Sequence, residues 1–162
     1  MEHIWSPWRM AYILSSKNET ACVFCVGSSE NKDEQNLIVF RGMRVFVILN
    51  RFPYTSGHVM IVPFDHKPSL EGVDAETRAE MMELAAQATS VLGQVYQAEG
   101  FNLGINIGEA AGAGITEHVH LHVVPRWFGD TNFMSALGST RVLPESLEES
   151  YRRIYEAWHS VK

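Results

Sequence analysis

Short runs of apolar and β-branched residues alternate along this chain with polar turns, and five of them predict strands: 37–41, 45–50, 58–63, 101–108 and 118–125. The first two runs flank a short turn with Gly42 and Met43, which indicates a β-hairpin. The third and fifth runs are expected to end at Pro63 and Pro125, because proline has no backbone N–H to donate to a neighbouring strand.

A longer stretch between the third and fourth strands repeats its apolar residues at helical spacing. Asp74 is the expected N-cap, and Gly100 is the expected stop. The apolar positions are Met81, Leu84, Ala85, Ala88, Val91, Leu92 and Val95.

A second helix is predicted over 144–159, where Glu148–Arg152 and Glu149–Arg153 are candidate ion pairs. The chain has no regular βαβ alternation. This order of elements predicts an α+β fold, in which an antiparallel sheet is combined with one long helix and a C-terminal helix.

Length and charge narrow the class of protein. The 162 residues fit one domain, and the net charge of −6 argues against nucleic acid as a partner. The sequence has no apolar run of about eighteen residues, which argues against a membrane helix. The first residues lack a secretory pattern, so a cytoplasmic location is expected.

Histidines occupy alternate positions in the fifth predicted strand: His118, His120 and His122. In a strand they share one face, and the aliphatic residues between them share the other. This pattern fits an exposed polar strand face, a three-histidine metal site, or phosphoryl transfer by a neutral imidazole. The preceding loop GEAAGAG at 108–114 suits transfer, because its glycines can turn backbone N–H groups towards phosphate oxygens.

The pattern HVHLHVV resembles the signature of the histidine triad (HIT) superfamily of nucleotide hydrolases and transferases. Three segments are similar to the same family in the same order: WSPWRMAYI, LNRFPYTSGHVMIVP and GAGITEHVHLHVVPRWFGDTNFM. The first and third look like the bacterial diadenosine tetraphosphate hydrolase and phosphorylase branch. The resemblance implies a single HIT-like domain over 1–162, with 1–35 as an N-terminal extension. It also implies a homodimer with an interface at the long helix and the fourth-strand region.

The resemblance also assigns roles to single residues. His120, in the middle of the triad, would attack the α-phosphate as the nucleophile. His122 would contact the phosphate and stabilise charge near the leaving group, and His58 is expected beside the triad. Asn50 matches a position that contacts ribose hydroxyls, and Asn106 matches one near the phosphates. The alternative for Asn50 is a turn-forming residue at a strand end, and the alternative for Asn106 is a hydrogen bond at a strand end.

One loop departs from the family pattern. Many members have Gln or Ser just before the triad, whereas this chain has Gly114, Ile115 and Thr116. Ile115 has no polar atom to contact phosphate or the leaving group. The Gly114 amide and the Thr116 hydroxyl are therefore the candidate contacts.

The motif CVFC at 22–25 is, by spacing alone, half a metal site or a redox pair. The related galactose-1-phosphate uridylyltransferases look similar here, with a zinc site that also uses two histidines. By this resemblance, Cys22, Cys25, His66 and His118 form a structural zinc site. A reduced, buried cysteine pair is the alternative.

Taken together, the resemblance implies an enzyme that cleaves dinucleoside polyphosphates, such as diadenosine tetraphosphate, through a nucleotidyl-histidine intermediate. Its ligand would be an adenine nucleotide or a dinucleoside polyphosphate, and water or phosphate would be the acceptor. Two alternatives share the signature: a nucleoside phosphoramidate hydrolase, and a nucleotide-binding regulatory module with low turnover.

Overall fold

A computed structural model of the chain describes residues 21–130 and 145–160. Its helices are α1 (Val23–Ser29), α2 (Asp33–Asn36), α3 (Ala75–Tyr96) and α4 (Leu147–Ser160). Its strands are β1 (Ile38–Arg41), β2 (Val45–Leu49), β3 (Val59–Pro63), β4 (Gly100–Ile105) and β5 (Leu121–Arg126). Three segments used in the sequence analysis lie outside the described residues: WSPWRMAYI, residues 1–20 of the predicted extension, and TNFM after the triad.

The five strands form one antiparallel sheet in the order β1-β2-β3-β5-β4. The predicted α+β fold is therefore confirmed. The β1–β2 hairpin closes through the Gly42 N–H, which donates to the Val45 carbonyl. The Glu80 carboxylate of α3 accepts the N–H groups of Met43 and Arg44 at 2.7 and 2.8 Å, which ties the turn to the long helix.

The long helix α3 packs its apolar stripe on β2, β3 and β5. It begins as predicted, because the Asp74 carboxylate accepts the Thr77 N–H at 2.9 Å. It ends earlier than predicted. Gln97 takes the left-handed conformation at φ 51° and ends the helix, whereas Gly100 is the first residue of β4.

The histidine strand differs from its prediction at both ends. β5 begins at Leu121, so His118 and His120 precede the strand. Pro125 lies inside β5 and not at its end. Within β5, only residues 121–123 pair with β3. Pro125 therefore lies beyond that pairing and has only β4 as a strand neighbour, as prolines on sheet edges do.

The C-terminal helix α4 packs on α3 and β1 through three buried side chains, Tyr151, Ile154 and Trp158. Neither ion pair predicted for its surface forms. Arg152 contacts Glu149 at 2.6 Å and Glu156 at 3.0 Å. Arg153 turns towards α3 and pairs with Glu145 at 2.8 Å. Within the two described ranges, no helix has the length and apolar character needed to cross a membrane.

Candidate active site and metal centre

Three of the candidate histidines are almost completely buried: His58 is 1% exposed, His118 0% and His120 4%. Imidazoles on an exposed polar strand face would instead be solvated. The burial therefore excludes that interpretation of the alternating pattern. Buried polar groups need partners, and the partners of these rings determine what each histidine can do.

His58 and His122 form a hydrogen-bonded pair between β3 and β5. The Tyr54 N–H donates to His58 Nδ1 at 3.1 Å, so the neutral ring of His58 carries its proton on Nε2. That Nε2–H donates to His122 Nδ1 at 2.9 Å. Neutral His122 therefore carries its own proton on Nε2. Burial, with a smaller contribution from His120, lowers the pKa of His122 to about 4, so the ring is uncharged at neutral pH.

His120 is held by a different kind of partner. Its Nδ1–H donates to the main-chain carbonyl of His118 at 2.8 Å, which leaves the lone pair on Nε2. Burial lowers the pKa of His120 and keeps the imidazole neutral. The His122 ring stands edge-on at a centroid distance of 4.8 Å. A neutral ring with a fixed tautomer and an Nε2 lone pair is chemically competent as a nucleophile.

The space beside the triad, next to Gly104 of β4, is open. Gly104 of β4 is the register partner of His122, so any side chain at position 104 would stand on the histidine face. A Cβ atom built there meets no atom within 4 Å. A glycine at this position therefore leaves room for a ligand next to His122.

The four residues predicted as zinc ligands lie together. The ligand atoms of Cys22, Cys25, His66 and His118 are all within 4.8 Å of one another. His118 Nδ1 is 3.4 Å from the Cys22 sulfur and 3.6 Å from the Cys25 sulfur, and His66 Nδ1 is 3.3 Å from the Cys25 sulfur.

This donor set fits zinc. A tetrahedral ion with Zn–S near 2.3 Å and Zn–N near 2.0 Å holds sulfur and nitrogen about 3.5 Å apart, which matches the three separations. His118 Nε2–H donates to the Pro63 carbonyl at 2.9 Å, so the nitrogen that faces the sulfurs carries a lone pair. Burial lowers the pKa of His118, which keeps it neutral and able to bind a metal.

The ligands come from three separate parts of the fold. Cys22 and Cys25 belong to the start of α1, His66 follows β3, and His118 precedes β5. Arg41 of β1 fixes α1 against the sheet. Its guanidinium donates to the Ser28 carbonyl at 2.7 Å, the Glu30 carbonyl at 3.0 Å and the Asp33 carboxylate. Sequence reasoning missed this anchor, because it depends on backbone carbonyls that carry no side-chain signal.

The remaining candidate residues surround the triad less closely. Asn50 follows β2, and its Oδ1 accepts the Phe52 N–H at 2.9 Å while its Nδ2 lies 3.4 Å from His58 Nδ1. Asn106 follows β4, one position beyond the residue paired with Leu121.

The pre-triad loop carries the other two candidates. Gly114 is exposed, whereas the hydroxyl of the half-buried Thr116 donates to the Glu117 carboxylate at 3.3 Å. Ile115 packs against the core, as its apolar side chain requires.

One more residue of the site was not predicted. Phe24, between the two cysteines, is 2% exposed, and its ring contacts those of both His118 and His120. Its position inside CVFC is the signal that could have identified it.

Known proteins resemble the chain over most of its length. It is 36% identical to a Mycobacterium tuberculosis protein named AP-4-A phosphorylase, across 98% of this chain and 85% of the relative. The crystal structure of a Zn-bound histidine triad family protein from Mycobacterium smegmatis matches with a TM-score of 0.70 and 31% identity, covering 87% of this chain and 95% of that one.

A histidine triad nucleotide-binding protein from Sulfolobus tokodaii matches with a TM-score of 0.69 and 25% identity, covering 87% of this chain and 94% of the other. The HIT domain family model matches residues 31–129, which include the β-sheet and all three triad histidines. This match and the near full-length relative lead to one conclusion: the chain belongs to the HIT domain family.

Proposed function

We propose that this HIT-family enzyme cleaves dinucleoside polyphosphates through a nucleotidyl intermediate on His120. One observation carries the proposal: the His120 Nδ1–H is bonded to the His118 carbonyl, which leaves a lone pair on Nε2 of a neutral, buried ring. The relative named AP-4-A phosphorylase supports the substrate class.

The reaction has two balanced steps. In the first, His120 Nε2 forms a bond to the α-phosphorus, and the P–O bond to the remaining phosphates breaks with its electron pair on the departing oxygen. The His118 carbonyl stabilises the positive charge that develops on the ring. In the second step, an oxygen of water or phosphate attacks phosphorus, and when water is the acceptor the proton that it loses passes to solvent. The N–P bond then breaks, and its electron pair returns to Nε2.

His122 and His58 act beside the nucleophile. Because His122 is neutral with its proton on Nε2, it stabilises a phosphate oxygen by donating a hydrogen bond and not by a permanent charge. His58 holds that tautomer through its bond to Nδ1.

Four further residues are proposed as substrate contacts. The Asn50 amide nitrogen is the proposed donor to a ribose hydroxyl, since its oxygen already accepts the Phe52 N–H. Asn106, Gly114 and Thr116 are the proposed contacts to the phosphates.

We also propose that Cys22, Cys25, His66 and His118 bind a structural zinc ion. The sulfur–nitrogen distances and the Zn-bound relative support this assignment. When bound, zinc would crosslink the predicted 1–35 extension to the rest of a single domain. It would take no part in the chemical steps.

A homodimer is proposed through the β4 side of the sheet. β4 is the last strand in the order of the described sheet, and Asn102, Leu103 and Gly104 are exposed along it. An edge strand with exposed backbone and apolar side chains is suited to pair with a second copy. The exposed Phe128, just after β5, adds apolar surface near this edge.

The test is product analysis with diadenosine tetraphosphate, with and without added phosphate. ADP plus ATP would identify phosphorolysis, and AMP plus ATP would identify asymmetric hydrolysis. His120→Asn should abolish turnover and keep AMP affinity within about threefold. The control is His159→Asn, which changes an exposed histidine of α4 and should leave turnover unchanged.

Other outcomes point to the alternatives. Release of amine from an adenosine phosphoramidate, without cleavage of the tetraphosphate, would identify a phosphoramidate hydrolase. AMP binding without turnover of either substrate would identify a binding module. Unchanged turnover in His120→Asn would refute the assigned nucleophile.

A further inference from the structure

We infer that Phe24 positions the nucleophile, and that it does so under the control of the two cysteines that flank it. The inference rests on the proposed role of His120 and extends it to a residue outside the triad. Phe24 itself has no polar side-chain atom for chemistry. It would act only through the orientation of the His120 ring.

The contacts of Phe24 join the metal centre to the nucleophile. Its ring centroid lies 5.1 Å from that of His120, with the planes tilted by 56°. The same ring stands edge-on to His118 at 5.4 Å and 80°. Phe24 is 2% exposed, so both contacts are made in a water-excluded environment.

His120 needs such a contact because of how its ring is held. Its hydrogen bond to the His118 carbonyl fixes Nδ1 but permits the ring to swing about the N–H···O direction. The edge-on ring of His122 restricts this motion of the His120 ring, and the ring of Phe24 restricts it as well. In-line attack on phosphorus requires the Nε2 lone pair to keep a narrow range of directions.

The position of Phe24 depends in turn on the cysteines. It lies in α1, a helix of seven residues that is too short to be stable alone, so tertiary contacts must hold it. Cys22 and Cys25 lie on either side of Phe24, and both sulfurs approach His118 Nδ1. Zinc bound by these sulfurs would fix Phe24 against both histidines.

The experiment compares Phe24→Leu with the control Phe40→Leu. Phe40 is a half-buried aromatic residue that packs against the same core, but its ring stacks on Trp158 at 5.5 Å. Leucine keeps apolar volume at either position and removes the flat ring. Four quantities are measured on the zinc-loaded protein: kcat and KM with diadenosine tetraphosphate, zinc content, and the ¹⁵N side-chain signals of His120 by NMR.

Phe24→Leu should keep its zinc and its KM within about threefold, while kcat falls by roughly tenfold or more. The His120 nitrogen signals should shift or broaden, because the ring samples more orientations. Phe40→Leu should change neither kcat nor these signals. Wild-type kcat together with unchanged His120 signals in Phe24→Leu would overturn the inference.

A second measurement uses the wild-type protein, so it stands even if Phe24→Leu fails to fold. Proton–proton cross-peaks between the rings of Phe24 and His120 should be strong with zinc and should weaken after chelation. If the cross-peaks and the His120 signals do not change when zinc is removed, the proposed control of the Phe24 position by the cysteines is refuted. If the wild type cleaves no dinucleoside polyphosphate, the proposed function fails, whereas the NMR measurements still decide the positioning role.

Discussion

The buried histidines of the site differ in the ring nitrogen that each commits to a partner. His118 and His58 donate from Nε2, to the Pro63 carbonyl and to His122 respectively, whereas His120 donates from Nδ1. The remaining nitrogen faces the proposed metal site in His118, accepts the Tyr54 N–H in His58, and is left for the proposed substrate in His120. Different acceptors fix different tautomers, which suits identical side chains to the separate roles proposed for them.

The neutral state of His122 predicts a loss of stability in acid. Its folded pKa of about 4 lies below the ordinary value of 6.5, so only the unfolded chain takes up a proton as pH falls between these values. The stability is fully present above pH 6.5 and should fall by up to about 3 kcal/mol as pH approaches 4.

This loss is measured by urea unfolding between pH 7 and 4, for wild type and His122→Asn. The difference between the two proteins isolates the contribution of His122, because the other side chains are the same in both. The variant should lose less stability over this range. Parallel curves for the two proteins would contradict a depressed pKa at His122.

Part of the arrangement of these histidines could be predicted from the sequence. Strict alternation with aliphatic residues predicted that His118, His120 and His122 share one face of a strand, and the rings of His120 and His122 do lie 4.8 Å apart. Resemblance was needed to separate their roles. The acceptors that separate them are carbonyls of Pro63 and of His118 itself, and a backbone carbonyl has no residue-specific signature.

At the level of elements, the short helix α1 is important because it brings both cysteines and Phe24 to the triad. Arg41 of β1 binds the carbonyls of Ser28 and Glu30 at the end of this helix. The same guanidinium pairs with Asp33 of α2 at 2.7 Å. One cation of the sheet thus fixes the two N-terminal helices that are described.

Arg41→Met should therefore weaken the metal centre without touching a ligand. Its partners would lose several charge-assisted hydrogen bonds, and unfolding free energy should fall by about 2 kcal/mol. Zinc affinity, measured by competition with a chromophoric chelator, should fall several-fold, because α1 is no longer held in place.

The matched control is Arg44→Met, which removes an exposed arginine that pairs with Glu76 at the start of α3. Exposed pairs contribute little, so stability should change by less than about 0.5 kcal/mol and zinc affinity should not change. Equal effects of the two substitutions on zinc affinity would argue against Arg41 as the anchor of α1.

Elements were predicted better than their ends. The hairpin, the N-cap of α3 and the sheet class follow from local patterns that the structure confirms. The end of α3 was mispredicted because Gln97 takes a left-handed conformation that glycine usually adopts. Pro125 was expected to end its strand, but whether a proline is tolerated depends on the neighbouring strands, which a single sequence does not reveal.

For the whole molecule, the metal centre joins segments that are far apart along the chain. Cys22 and Cys25 are more than forty positions from His66, and His118 is 96 positions from Cys22. A bound ion would therefore restrict a large part of the unfolded chain. Metal occupancy and global stability should be linked.

Removal of zinc should lower the melting temperature by roughly 10 °C at a free zinc concentration near a thousand times the Kd, since linkage then contributes about 4 kcal/mol. Differential scanning calorimetry with zinc or with excess chelator measures the shift. The Cys22→Ser/Cys25→Ser double variant should show no such shift. If the melting temperature of the wild type does not change on chelation, the zinc ion is not structural.

The proposed dimer is tested by sedimentation equilibrium. Leu103→Lys places a charge on the exposed side of β4 and should shift the protein towards the monomer. Met43→Lys is the control, since Met43 is 91% exposed at the β1–β2 turn, by the opposite edge of the sheet. The interface would have to lie elsewhere if Leu103→Lys sedimented as the wild type does.

The hydrogen bond from His120 to the main-chain carbonyl of His118 sets a limit on what side-chain substitution can reveal. Any replacement of His118 keeps that carbonyl, so an alanine scan would test only its side chain, as a proposed metal ligand, and would miss its main-chain contact with His120. An ester bond between His118 and Val119, introduced by chemical synthesis, would weaken the carbonyl as an acceptor. The ester would also remove the hydrogen bond from the Val119 N–H to the Lys67 carbonyl. The matched control is therefore an ester that removes one backbone hydrogen bond away from the triad.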